Sequence, residues 1–392
     1  MAEIMNNNKI KTIAFYLPQF HSIPENDKWW GKGFTEWTNT KKAKPLFEGH
    51  YQPKTPLNEN FYDLSDVRVM EKQAEMAKEY GLYGFCYYHY WFKDGKKLLE
   101  KPIENMLKDK KVDIPFCLCW ANENWARNWD GGNKEIIMPQ DYGTKKDWES
   151  HFQYLIEFFK DERYITVNGK PIMLIYKPEQ IYVFDKMVDY WQKRAVEEGL
   201  PGLIIMSQYP LALHDPAWNS SRIEYSIKFE PTSASMIQLK AVDYLVETVR
   251  KRKFVGKIKK ILFHLKLQAV ANNLFRLRNK KNEKAPKLEI LDYDETWKII
   301  LNQEIFDKTI INGAFVDWDN TARNVKGRMY QGATPEKFRK YLIELSQREN
   351  PLNLIFINAW NEWAEGAYLE PDEKNGFAYL EALKAAMETV NS

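Results

Sequence analysis

The chain has 392 residues and a mass of 46.5 kDa, enough for one barrel domain with insertions or for two ordinary domains. Its 57 basic and 54 acidic residues leave a net charge of +3, so the whole-chain balance gives no case for nucleic acid as a partner. Cys86, Cys117 and Cys119 exclude a disulfide framework and, set in apolar strand-like segments, read as buried thiols of a reducing compartment.

The opening MAEIMNNNKIKTIAF lacks the apolar core of a signal peptide, and no apolar run approaches the roughly 18 residues of a membrane span. A cytoplasmic protein is expected. Thr12–Leu17 reads as a first buried strand, ended by Pro18. A long stretch from Gln19 to Leu64 follows, aperiodic and rich in Gly, Pro, Asn and Trp, with Glu36 and Trp37 within it; a structureless loop of that size is usually functional. Asp66–Tyr80 has helical spacing, and Tyr83–Tyr88 is a second strand running into His89. Leu98–Leu107 is a helix. Ile114–Trp120 is a third strand that meets the polar cluster Asn122, Glu123, Trp125.

Helix Trp148–Phe159 leads to strand Pro171–Tyr176, which ends at Lys177, and then to helix Phe184–Glu197. Strands Leu203–Tyr209 and Tyr225–Phe229 follow, the second ending in Glu230. Gly313–Val316 ends in Asp317, Trp318 and Asp319, with Arg323 beyond. Helix Pro335–Gln347, strand Leu352–Ile357 and helix Phe377–Met387 complete the chain. Eight strands alternating with helices predict a (β/α)8 TIM barrel spanning residues 1–392 as a single domain, with the long loop after strand 1. A doubly wound sheet competes, but no Gly-x-Gly-x-x-Gly follows any strand.

Residues 240–290 break the even spacing as an insertion between strands 6 and 7. Between 248 and 287, fourteen Lys or Arg stand against the single Glu283, with Val255, Ile258, Ile261, Leu262 and Leu265 interleaved at helical spacing. A basic amphipathic helix pair of this kind, over 250–281, either packs on the barrel with a solvated face or lies on an anionic membrane at the inner surface.

The last strand leads into Asn361, Glu362, Trp363 and Glu365, closed by Gly366. Carboxylates three apart in a first turn can share one side of a barrel mouth, and two close carboxylates push their proton affinities apart, so that one acts as acid and the other as base. Around them, the strand ends offer Tyr88, His89, Trp120, Asn122, Glu123, Trp125, Lys177, Glu230, Asp317, Trp318, Asp319 and Arg323 as contacts for sugar hydroxyls and rings; 14 Trp and 22 Tyr suit such a groove. The six histidines have no zinc-ligand spacing, and Asp317-Trp318-Asp319 in a barrel reads as hydroxyl contact, so neither metal nor cofactor is expected. No nucleophile elbow is present.

The motifs AFYLPQFH, GFTEWTN with KPLFEGHYQPK, GFCYYHYW, CWANENWARNWDG, FVDWDNTARN and NAWNEWAEGAYLEPD, in this order across residues 11–388, resemble the WbsX-like family, which accompanies surface-polysaccharide biosynthesis. More distantly, the Asn361–Gly366 motif is similar to that of family 99 endo-α-mannosidase and mannanase-type glycoside hydrolases, although Ala364 stands where those commonly have His. The resemblance implies a retaining hydrolase acting on an oligosaccharide or polysaccharide. Glu362 would be the base that draws the substrate 2-hydroxyl onto the anomeric carbon, and Glu365 the general acid/base. A glycosyltransferase or transglycosylase of O-antigen or capsule assembly is the alternative, and a non-catalytic glycan-binding protein the third class.

Overall fold

The computed structural model describes residues 2–4, 9–126, 136–208, 220–239, 287–303 and 309–392. Eight parallel strands form its centre: β1 (Lys11–Tyr16), β2 (Gly84–Trp91), β3 (Phe116–Trp120), β4 (Lys170–Ile175), β5 (Ile204–Gln208), β6 (Tyr225–Ile227), β7 (Ile310–Phe315) and β8 (Leu354–Asn358). Each pairs with the next, and β8 returns to β1 with Phe356 opposite Ile13. The sheet is therefore closed, as a (β/α)8 barrel requires.

These segments become strands because they are buried on both faces; β3 is buried at every residue. Phe15 of β1 packs on Tyr88 of β2, on Phe229 just past β6, and on Phe356 of β8, with ring centroids 5.7, 5.4 and 5.6 Å apart. β2 and β8 flank β1, but only a side chain pointing into a filled barrel can also reach across to the end of β6. Their neighbours point outward: the Tyr16 hydroxyl donates to Gln73 Oε1 at 2.5 Å, on the buried face of helix Val67–Glu79. That helix begins at Asp66, whose carboxylate accepts from the Arg68 backbone N–H, and it buries Met70, Ala74 and Ala77 at the expected spacing.

The expected strands and helices fall within a few residues of those observed, with three departures. The stretch after β1 is not structureless: it contains helices Pro24–Trp30 and Glu36–Lys42. At seven residues each, they are too short to register as a period. Helices Thr232–Gln238 and Tyr293–Asn302 were not foreseen. Nor were the accessory strands Glu289–Asp292 and Arg328–Gln331, which run parallel to each other, and Ile165–Val167, which forms a hairpin with β4. The basic stretch 250–281 lies outside the described residues. Among the described residues no helix is long and apolar enough to cross a membrane.

Candidate active site

Past β8 the chain makes a short antiparallel pair, Asn361–Glu362 against Ala367–Tyr368, joined through the 3₁₀ turn Trp363–Glu365. Glu362 ends the strand before the turn and Glu365 ends the turn itself, and both carboxylates come round to one guanidinium. Gly366 closes the turn at φ 64°, where an added Cβ would stand 2.9 Å from the Asp319 backbone nitrogen.

Both carboxylates meet Arg323. Its Nη1 donates to Glu365 Oε1, and its Nη2 reaches Glu362 Oε2 at 3.3 Å and Glu36 Oε1 at 2.6 Å. Three carboxylates thus share one guanidinium whose side chain is 12% exposed. Burial, then the charge of Glu365, pushes the Glu362 carboxyl well above the usual carboxylate range, with Arg323 opposing. Burial also raises Glu365, against the pull of Arg323 and with help from Glu36. Against the cost of its own burial, the three acids hold Arg323 charged. Burial and the crowding of three carboxylates on one cation thus raise the proton affinity of the Glu362–Glu365 pair, the direction an acid–base pair needs.

The cluster is held from beneath. Asn361 accepts from Leu17 N at 2.7 Å and donates to Leu17 O at 3.1 Å, tying the end of β8 to β1. Trp363 stacks on Tyr368 with centroids 3.9 Å apart, and its indole N–H donates to Glu370 at 2.7 Å. Glu370 also accepts from Tyr62 at 2.8 Å and Gln73 at 2.6 Å, yet burial pushes it up to about 7. On the β7 side, Asp319 N donates to Glu365 O at 2.6 Å, and the Asp319 carboxylate accepts from Gln52 at 2.8 Å and contacts His50 Nε2 at 2.9 Å. Lys54 donates to Asp317 at 3.2 Å.

Of the residues expected at the mouth, Glu362, Glu365, Glu36 and Arg323 converge. Tyr88 lies just below them in the barrel, within reach of the Glu362 charge, and its hydroxyl accepts from Gln208 at 3.0 Å. Glu123 and Lys177 form an ion pair across the tips of β3 and β4, while Trp125 stacks on Tyr90 with centroids 5.7 Å apart. Asp317 and Trp318 border the cluster half-buried, at the end of β7.

Others that the sequence offers as sugar contacts make their contacts within the protein. His89 points away from the mouth onto helix Lys145–Phe159: its Nε2 lies 2.9 Å from His151 Nε2, and burial pushes it down to about 3. Trp120 is buried on the same outer side and donates to Trp91 O at 3.0 Å. Asn122 clasps Lys177 through both backbone groups, at 2.7 and 2.8 Å. Trp37 donates to Tyr62 O at 2.8 Å and packs on Trp363. Glu230 accepts from Ala234 N at 2.9 Å, at the start of helix Thr232–Gln238, and burial raises it to about 7. Asn361, Trp363 and Asp319 brace the loops as described.

Tyr90 and Tyr176 were not singled out, yet both face the acids. Burial and then Glu362 raise the Tyr90 phenol; burial, Glu123 and then Glu365 raise that of Tyr176. Tyr90 lies two residues beyond Tyr88 on the same strand face, and that period was the available signal. Among the described residues no three His, Cys, Asp or Glu side chains are grouped to hold a metal ion.

Residues 12–383 match the sequence profile of the family described as "Glycosyltransferase WbsX". The chain is 35% identical over 381 residues to the protein WxcX of two strains of Xanthomonas campestris pv. campestris, an alignment covering 96% of this chain and 49% of WxcX. The chain therefore spans about half the length of these relatives. Among solved structures, the GH99 endo-α-mannosidase of Bacteroides thetaiotaomicron superposes with a TM-score of 0.53 at 14% identity, covering 97% of each chain. A structure described as a glycoside hydrolase-like protein gives 0.51 at 12% identity, over 98% of this chain and 95% of that one. At such identities the likeness is one of fold.

Proposed function

Because the chain belongs to the WbsX family, we propose that it is a carbohydrate-active enzyme that cleaves glycosidic bonds with retention, within a bacterial surface polysaccharide or its lipid-linked precursor. The observation behind this reading is the convergence of Glu362 and Glu365 on Arg323 at the C-terminal mouth of a barrel. Glu365 gives its proton to the leaving oxygen as the C1–O bond breaks. Glu362, in its ionised form, takes the proton of the substrate 2-hydroxyl while that oxygen bonds to C1, giving a 1,2-anhydro sugar. Water, deprotonated by Glu365, then opens the ring at C1, and Glu362 returns its proton to O2. Two inversions at C1 retain configuration.

Arg323 sets the timing. In the free site it pairs with Glu365, so arrival of the sugar has to loosen that contact before Glu365 can hold the acid proton. The proposed substrate is an α-mannoside-like chain cut internally, with sugar rings seated along Tyr90 and Trp125.

The test is an aryl glycoside with a good leaving group, followed by product analysis of its anomeric configuration. Glu365→Gln is expected to spare the aryl-release step and block the water step, while Glu362→Gln blocks the first step. Equal loss of aryl release in both variants sinks the division of roles.

Transfer to a second glycan is the alternative favoured by the family's description; product that forms only with a nucleotide sugar would establish it. We also propose peripheral contact with anionic membranes through the basic stretch 250–281, supported by its fourteen to one excess of basic residues over 248–287.

A further inference from the structure

The reaction scheme leaves one buried charged group of the cluster unused. Glu36 comes from the long loop after β1 and is wholly buried. Its backbone N–H donates to Gln19 O at 2.9 Å, and it opens helix Glu36–Lys42 after a capping box at Thr35, so its place is fixed independently of the strands. Its Oε1 accepts from Arg323 Nη2 at 2.6 Å and from the backbone N–H of Ala364 at 3.2 Å. Ala364 lies in the turn between the two reacting glutamates. Glu36 Oε2 is buried without a hydrogen-bond partner. A carboxylate enclosed in this way is placed to hold its neighbours.

We propose that Glu36 is a positioning residue: it locks Arg323 and the Glu362–Glu365 turn into one unit and, as a third anion on one cation, keeps a proton on the reacting pair at neutral pH. The proposal rests on the reading of Glu362 and Glu365 as the acid–base pair. Arg323 alone could neutralise much of the repulsion between two carboxylates and leave both ionised, with no acid to protonate the leaving oxygen. A third carboxylate on the same guanidinium removes that option. Among the described residues, the charged and titratable groups facing the cluster are Arg323 from the loop after β7, Glu362 and Glu365 past β8, and the phenols of Tyr88 and Tyr90 from β2 and Tyr176 past β4. The phenols stay neutral, so the carboxyl group that Glu36 adds to the shared guanidinium is the one the reaction scheme does not use.

Two measurements test this. In the ligand-free protein at pH 7, infrared spectroscopy should show a protonated carboxyl band that weakens in Glu362→Gln or Glu365→Gln, and weakens likewise in Glu36→Gln. In the pH dependence of kcat/KM, Glu36→Gln should move the basic limb down by about one pH unit, the scale of one neighbouring charge at protein-interior screening. Activity at the new, more acidic optimum should stay within about tenfold of wild type, as expected for a pair that still reacts. Glu36→Asp, which restores the charge, should restore the limb while lowering kcat.

A uniform loss of activity in Glu36→Gln with the limb unmoved overturns the proposal. So does a wild-type spectrum at pH 7 whose carboxyl band is unchanged in both Glu362→Gln and Glu365→Gln, whether or not Glu36→Gln folds. If the wild type cleaves no glycoside, the functional reading fails, and the infrared comparison still decides the role of Glu36.

Discussion

Replacing Arg323 with Met would remove the cation that, among the described residues, bonds to all three buried carboxylates, while keeping an unbranched stem as far as the position of Nε. Breaking a buried ion pair by removing one partner costs about 3–5 kcal/mol, because the remaining charges stay uncompensated. The unfolding entropy of about 2.1 cal/mol/K per residue, over 392 residues, turns that cost into a loss of roughly 4–6 °C in Tm. The sign of its pH dependence follows from burial, which already raises Glu362 and Glu365 above their unfolded values. A carboxylate raised in the folded state contributes stability that is full below its unfolded pKa and lost as pH rises through the folded one. Without Arg323 the folded values climb further, so the deficit of the variant should be small near pH 5 and widen steadily towards pH 8. Thermal denaturation of both proteins at a fixed scan rate across that range measures it. A deficit of the same size at every pH would refute the reasoning, since it would mean that Arg323 acts through packing and not through charge.

Gly366→Ala places a Cβ 2.8 Å from Lys54 Cε and 2.9 Å from the Asp319 nitrogen, in a left-handed conformation that costs about 1–2 kcal/mol. Steady-state kinetics should show kcat falling at least tenfold with KM little changed, and wild-type turnover would argue that the turn tolerates displacement. Glu370→Gln swaps one of two accepting oxygens for a donor facing Tyr62, Trp363 and Gln73, at a cost of about 1–3 kcal/mol. Because Glu370 is raised to about 7, the wild type loses its advantage as pH rises through that value, so the Tm difference should be larger at pH 5.5 than at pH 8.5. A difference that grows with pH would contradict this. Deleting 250–281 should lower co-sedimentation with anionic liposomes and leave cleavage of a soluble glycan intact; absence of liposome binding by the intact chain would end the membrane proposal.

The barrel was legible because parallel strands buried on both faces read as short apolar runs, and β1 to β8 all sit within such runs. The same property hid which way each residue points. Tyr88 and His89 are adjacent, polar-tipped and both buried, yet one enters the barrel and the other packs on His151. Nothing local to the sequence distinguishes them; the contact of Tyr88 with Phe15 does. Glu362 and Glu365 could be found because their spacing is local. Glu36 was found as a residue but not as a brace, since that role depends on Arg323, which is 287 positions away. The sequence could not show where the indole N–H groups go: those of Trp37, Trp120 and Trp363 donate within the protein, to Tyr62 O, Trp91 O and Glu370.

The seam between β8 and β1 joins the two ends of the chain: Asn361 grips Leu17 across 344 residues. A fragment must run from Glu36 to Glu365 to hold the whole acid cluster, and the seam is among the longest loops the polypeptide must close during folding. A newly made chain therefore brings Glu36 onto Arg323 and the Glu362–Glu365 turn only on completing the barrel. Under the proposed function, turnover would serve as a readout of ring closure.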